Sequence, residues 1–438
     1  MDCNIIDRLT DFRSQLYGCF RRAGDALFNI IDALLSETGA HSLAELSLSP
    51  FCARRWCSIY QALQQADIDR AKMRRLFVEQ APSPSEGKRL VLGVDASSIA
   101  RPCSRTAADR SYVHQSNLPK GCKPVTSGWQ FSTLTVLPEV PSSWTYILDN
   151  LRVRSDQTQG EAAAEQIKET VPLLNKRPIA LGDGYYGSLA FLLLVEDTPC
   201  DFLLRIGKNR VLYRPAPPPT GRRGAPKKDG ARFACKDPST HGTPDEHWEG
   251  ANRDGQEVQV SLWNHLHFKK ARQIQVSVIR IVRPRAQNTE RDPVTSWFLF
   301  YGEQLPALCE VCDLYARRYS QEHGYRVDKQ NLLWETPRLR TPKQFQDWTD
   351  LVACTRNQLY LVRPLAEEVR QPWESKRREL TPQQTRRAMA RILAQLGTPA
   401  QPPKRRGNSP GRRPGTIVRK APRYKTVFKA SEKFASIV

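Results

Sequence analysis

No stretch of this chain approaches the roughly 18 uninterrupted apolar residues that a membrane-spanning helix needs. Its first residues include Asp2, Asp7 and Arg8 where a secretory leader would carry an apolar core, so no leader is expected either. The 11 cysteines show no repeating spacing, and an odd number fits a reduced, intracellular chain rather than a disulfide framework. The lone C-x-x-C, Cys309 and Cys312, has no second pair at zinc-ligand spacing and reads as two buried thiols. Internal repeats are absent. Negative charge is the scarce sign: 45 Asp and Glu stand against 67 Lys and Arg, a net charge of +22. Such a balance attracts polyanions, nucleic acid first among them, although a basic ribosome-associated factor would share it.

What is present points to order. Hydrophobic residues make up 39% of the 438, enough for a large core, and the length implies two or three cooperating units. Ile5, Leu9, Phe12, Leu16 and Phe20 recur at spacings of three and four, as do Leu27, Ile30, Ile31, Leu34 and Leu35, which predicts helices over the first 80 residues. Ser42 to Glu45 has the form of a capping box. The Pro/Ser-rich stretch from Ala81 to Gly87 reads as a linker. Beyond it, Val91 to Val94 is a short apolar run leading into Asp95, as a buried strand would be. Further strands are expected at Trp129 to Leu137, Trp144 to Leu148 and Pro178 to Leu181, with helices at Thr158 to Leu174 and Ser188 to Glu196. This alternation indicates a mixed α/β core. From about 200 to 305 strand patterns dominate, interrupted by a basic, Pro-rich loop from Arg214 to Lys228. Helical patterns return at 308–330 and 342–361.

The residues richest in chemistry are Tyr315, Arg318, Glu322 and Lys329. At about 100° per residue these offsets fall within about 60° on one helix, so a single face would present a carboxylate between two cations and a phenol. A carboxylate can hold a metal ion while Arg and Lys clamp phosphates beside it. An ordinary solvated face with i,i+4 ion pairs carries the same pattern. Asp95 at the end of its apolar run and Asp183 after Ile179-Ala180-Leu181-Gly182 sit where strands meet turns, a common place for capping aspartates too.

The spacing Tyr-x2-Arg-x3-Glu-x6-Lys over 315–329 resembles the signature of the DDE transposases of bacterial insertion sequences. That resemblance implies a ribonuclease-H-like α/β core interrupted by a β-rich insertion domain, with a helical N-terminal domain. It implies that Asp95, Asp183 and Glu322 are the catalytic, Mg²⁺-binding carboxylates, with Mn²⁺ able to substitute, and that Tyr315, Arg318 and Lys329 grip DNA phosphates beside the scissile bond. Three carboxylates suit hard cations, which prefer oxygen ligands. A Trp opening a strand of the insertion, here Trp297, would stack on a flipped base, and a core or edge-strand Trp would look the same in sequence. The residues after Asp95 (Ala96-Ser97-Ser98) and after Asp183 (Gly184-Tyr185-Tyr186) depart from the best-known relatives. Gly324 falls inside the motif helix, where it costs about 1 kcal/mol relative to Ala.

The expected organisation is a helical N-terminal domain over 1–84 that binds DNA ends, and core segments over 85–199 and 306–370. Between them lies a β-rich insertion over 200–305; residues 371–438 are helical and then a flexible basic tail. Residues 205–233 hold nine Lys/Arg against one Asp, and 401–438 hold eleven against one Glu. Arg205, Lys208 and Arg210 could track a phosphate backbone. Arg222 and Arg223 lie in a loop that resembles a minor-groove reader, or is simply a solvated basic loop. The resemblance further implies a dimer acting on transposon-end and target DNA, located in the cytoplasm with the nucleoid, without membrane or small-molecule substrate. The rival readings are another ribonuclease-H-like DNA nuclease, or a non-catalytic DNA-binding protein descended from a transposase.

Overall fold

Apolar stripes at helical spacing give α1 (Cys3–Tyr17), α2 (Gly24–Ser36), α3 (Leu43–Leu46), α4 (Trp56–Gln65) and α5 (Arg70–Glu79), but Phe20, which the first stripe places on a helix, opens the short strand β1 (Phe20–Arg22) paired with β2 (Asp67–Ile68) in the computed structural model. It describes residues 3–115, 124–219, 225–289, 293–368, 370–375, 378–404, 411, 413–417 and 420–429. Ser42 opens α3 by accepting from the Glu45 N–H, while the Glu45 carboxylate takes the His41 N–H, so the cap is satisfied from both sides.

These helices do not close a core of their own. Leu9, Phe12 and Leu16 of α1 and Leu27, Ile31 and Leu34 of α2 belong to one buried apolar cluster with Trp348, Leu351 and Leu359. The latter three lie on α10 (Pro342–Glu368), and α11 (Pro382–Leu396) packs beside it. Buried ion pairs lock the same contact. Arg13 reaches Asp32 at 2.8 Å and Gln358 at 2.8 Å, and Arg70 reaches both Asp347 and Asp350. The sequence pattern separates 1–84 as a unit because each stripe is local; the surface that covers the stripes comes from a helix 300 residues on.

The α/β part is built from β3 (Val91–Ala100), β4 (Ser111–His114), β5 (Val125–Val136), β6 (Tyr146–Val153), α6 (Gln159–Thr170), β7 (Ile179–Gly182), α7 (Leu189–Leu194) and β8 (Asp201–Ile206). β3 pairs antiparallel with β5, which pairs antiparallel with β6; β7 runs parallel to β3, and β8 parallel to β7. The spatial order is β6-β5-β3-β7-β8, with β4 also on the outer edge of β5. Thr158 and Glu161 form the capping box that starts α6, the crossover between β6 and β7.

The strand-rich stretch contributes β9 (Val211–Tyr213), β10 (Arg232–Ala234), β11 (Glu246–Ala251), β12 (Glu257–Phe268), β13 (Ala271–Val282) and β14 (Thr295–Tyr301). These strands make no second sheet. β14 pairs antiparallel with β8, Leu299 opposite Leu204, so β8, β14, β13 and β12 continue the core sheet edge to edge, twelve strands among the described residues. β8 is therefore a core strand, although its position after residue 200 assigns it by sequence to the insertion. An apolar run announces a strand but not its partner. From β14 the chain returns to α8 (Leu308–Ala316) and α9 (Tyr319–Gln330). Asp201 clamps that return: fully buried, it takes Arg89 and Arg177 at 2.6 Å and the N–H groups of Glu303 and Gln304.

Candidate active site

β3 brings Asp95 to the middle of the sheet. Val91, Leu92 and Val94 are buried, and Asp95, opposite Thr133 of β5, is the first residue of the strand with a partly exposed side chain. Its Oδ1 accepts from the Ala96 N–H at 2.8 Å. The neighbouring parallel strand β7 stops at Gly182, and Asp183 follows in a turn that its own carboxylate organises by accepting from the Tyr185 N–H at 2.9 Å. Gly187 closes that turn against the Arg205 carbonyl, where any side chain would overlap the backbone. Because Gly93 lies opposite Leu181, the two aspartates emerge from adjacent strands on the same side of the fold.

The third carboxylate arrives from the helices. Sequence spacing predicts one helix from 308 to 330, and the structure breaks it at Arg317 and Arg318. There the N–H groups of Arg317, Arg318, Ser320 and Gln321 bond to carbonyls three residues back, a local 3₁₀ winding. Tyr315 therefore lies in the last turn of one helix and Glu322 in the first turn of the next. The Tyr315 hydroxyl donates to the Gly182 carbonyl at 3.3 Å and its ring meets Phe298 edge-on at 4.5 Å. Burial pushes its phenol up to about 12. Arg317 fixes the break by donating to the carbonyls of Leu137 and Pro138 at 3.0 and 2.8 Å. Gly324, a cost in sequence terms, is required by packing: a Cβ there would overlap the Arg356 guanidinium and Thr145.

The result is a convergence on Arg318. Its guanidinium lies 3.6 Å from Asp95, 3.7 Å from Asp183 and 3.1 Å from Glu322. Asp95 is the most enclosed of the three carboxylates, and burial pushes it up to about 6 even though Arg318 draws it down; Asp183 and Glu322 add to the rise. Three carboxylates without a nitrogen or sulfur donor form a ligand set suited to hard divalent cations. Among the described residues no three His, Cys, Asp or Glu side chains stand close enough to grip one ion together as they are. A cation already lies among these three carboxylates, namely the Arg318 guanidinium, so their chemistry fits a positively charged occupant.

The remaining residues singled out by sequence divide. Lys329 donates to the Ser98 carbonyl at 3.0 Å and lies 3.5 Å from Glu335, on a groove of about 790 Å³ that Ser97, Gln130 and Glu322 also line. Arg205 ends β8 close enough for its charge to lower the Tyr315 phenol against the effect of burial. Lys208 is exposed on the following turn. Arg210 is spent on structure: it donates to the Gly187 carbonyl at 2.7 Å and covers the Phe268 ring. Arg222 and Arg223 lie outside the described residues. Trp297 does not offer its ring to a base in this conformation. It is 5% exposed and packs among Phe233, His241 and Trp263 in the strand-rich half of the sheet. The pairing that buries it, through β13 and β14, is not encoded in the local pattern. Trp297→Ala is accordingly expected to destabilise the fold by about 3–5 kcal/mol, read as a lower melting temperature; an unchanged melt would return the ring to a surface role. Cys309 is exposed and Cys312 half-buried, not two buried thiols, because α8 covers only one face.

Sequence reasoning missed the residues that aim α9. Arg356 of α10 donates to the Gly324 carbonyl at 2.6 Å and to Asp328 at 2.9 Å. The Tyr325 hydroxyl donates to the Asp95 carbonyl at 3.0 Å, and Gln321 to the Thr133 carbonyl at 2.9 Å. Polar residues on a charged helix give no sign of being buried. The tail also departs from its composition. Tyr424 and Val427 donate backbone bonds to the carbonyls of Arg105 and Arg110, Phe428 lies 4.5 Å from the Tyr112 ring, and Lys429 donates to Gln130. Burial brings the Lys429 amine down to about 8.

Among the described residues no helix is long and apolar enough to cross a membrane. No curated protein matches the chain. The family model described as "DDE superfamily endonuclease" matches residues 15–267, more than half of the 438; it spans Asp95 and Asp183 and stops before Glu322. With that match and two of the converging carboxylates inside it, the chain belongs to the DDE superfamily endonucleases.

Proposed function

We propose that the chain is a DNA transposase that cuts at the ends of a mobile element and joins them to target DNA. The observation that carries this reading is the meeting of Asp95, Asp183 and Glu322, from two adjacent strands and a helix, at one cation. The order β6-β5-β3-β7-β8, antiparallel in its first three strands and parallel in its last, supports a ribonuclease-H-like core. Asp95, Asp183 and Glu322 would hold Mg²⁺, or Mn²⁺ in its place. When bound, such ions activate an oxygen nucleophile and neutralise charge on the phosphate and the leaving oxygen. The chain's own residues orient the strand: Lys329 and Arg318 pair with phosphates beside the scissile bond, and Tyr315 keeps the Asp183 turn in place through Gly182. The test is incubation with duplex DNA carrying the element's own ends, with Mg²⁺ or with a chelator. Metal-dependent nicking at the ends followed by joined products supports the reading; nicking without joining favours a simple nuclease, and neither reaction favours a non-catalytic DNA-binding protein.

The docked tail gives a second expectation. Deleting 420–438 should flatten the dependence of log K on log salt by about 0.9 for each phosphate the tail no longer neutralises. It should also lower the melting temperature, because the segment adds backbone bonds beside β4. Discrimination between element ends and random duplex should survive, since Lys and Arg dispersed along the segment give phosphate contacts rather than base contacts. Loss of end discrimination with general affinity intact would place recognition in the tail.

A further inference from the structure

Arg318 is surrounded in an unusual way. Three carboxylates face it, and only the contact to Glu322, at 3.1 Å, is short enough for a hydrogen bond; the 3.6 and 3.7 Å separations from Asp95 and Asp183 are looser ion contacts. The Nε of Arg318 is hidden from solvent and has no hydrogen-bond partner, so the guanidinium still lacks an acceptor. One positive charge among three carboxylates leaves the group undercompensated. Lys329, the other motif cation, is engaged by Ser98 and Glu335. The guanidinium cannot leave by losing its proton, because Arg stays charged at any working pH. It can leave only for another anion. Arg318 lies in the short turn between α8 and α9, outside the body of either helix.

We propose that Arg318 is a displaceable counter-ion: in the DNA-free protein it occupies the charge position among Asp95, Asp183 and Glu322, and on DNA binding it transfers to a backbone phosphate and frees the carboxylates for divalent metal. Duplex and metal then strengthen each other's binding, since the free energy of coupling is reciprocal. The inference rests on the metal-binding role proposed above for the three carboxylates.

The test uses the full chain, Mn²⁺ as the metal probe, and a duplex of arbitrary sequence that supplies phosphates without an element end. Mn²⁺ affinity is measured by titration calorimetry and by the electron paramagnetic resonance signal of free Mn²⁺. In the unsubstituted protein the duplex should tighten Mn²⁺ binding by about tenfold, within the usual range of coupling between sites. Arg318→Gln should bind Mn²⁺ about tenfold tighter than the parent without DNA, and the duplex should add less than about twofold. Equal or weaker Mn²⁺ binding by Arg318→Gln would overturn the proposal, as would the absence of coupling in the parent. If Arg318→Gln does not fold without metal, the coupling in the parent decides alone. Failure of the underlying reading looks different: Asp95→Asn and Glu322→Gln would then bind Mn²⁺ as well as the parent, with and without duplex.

Discussion

Asp95→Asn, Asp183→Asn and Glu322→Gln are each expected to lower DNA cleavage by at least about a thousandfold, about 4 kcal/mol of barrier, with duplex binding in chelator kept or tightened. The substitutions keep size and remove charge. In Asp95→Asn the amide oxygen would still accept from the Ala96 N–H, and in Asp183→Asn it would still accept from the Tyr185 N–H that shapes the turn, so neither strand end should move. What is lost is a hard oxygen ligand, for which an amide oxygen is a poor replacement. Folding should be unharmed, and at position 95 slightly improved, because burial already disfavours the charged form there. Cleavage rates in Mg²⁺, thermal melts and duplex binding by fluorescence anisotropy in chelator separate these outcomes. Parental cleavage by any one of the three variants would remove that residue from the site.

Arg356→Ala is expected to cause a large loss of stability. Arg356 is 3% exposed, and its guanidinium binds Asp328, the Gly324 carbonyl, the Ser143 carbonyl and Thr145. Removing it leaves the Asp328 carboxylate buried without a cation, a defect that costs about 3–5 kcal/mol, and empties a volume that α9 leans on through Gly324. Because Glu322 sits on the same helix two residues before Gly324, activity should fall along with the melting temperature. The double variant Arg356→Met with Asp328→Asn should recover part of the stability, since the uncompensated charge is gone. A single variant that melts like the parent would show that the buried pair does not hold α9.

Those two sets of residues mark how far sequence reading reaches. The carboxylates are legible because their setting is local: an apolar run before Asp95, a strand-to-turn change at Asp183, and helical offsets around Glu322. Their convergence is expected from the order of these features and the resemblance they carry. Arg356 is not legible. It lies in Thr355-Arg356-Asn357-Gln358, four polar residues in succession that a pattern of faces assigns to solvent, and all four are buried.

The sequence alone determined the long helices and the strongly apolar strands, and it set the net positive charge, since both follow from side chains and neighbours within a few positions; the short strands β1, β2 and β4 and the break between α8 and α9 were not among them. It also set a carboxylate, a guanidinium and an ammonium within 315–329, at offsets that an unbroken helix would bring to one side, whereas the chain breaks that helix at Arg317 and Arg318. Only the tertiary structure decided that the strands of 211–301 extend the core sheet instead of building their own, that the N-terminal helices close around α10, and that Trp297 is core while Arg318 faces the carboxylates. Each of these depends on pairing between residues tens to hundreds of positions apart. Period and propensity fix which face of an element is apolar, but the surface that covers that face is chosen by packing the whole chain at once.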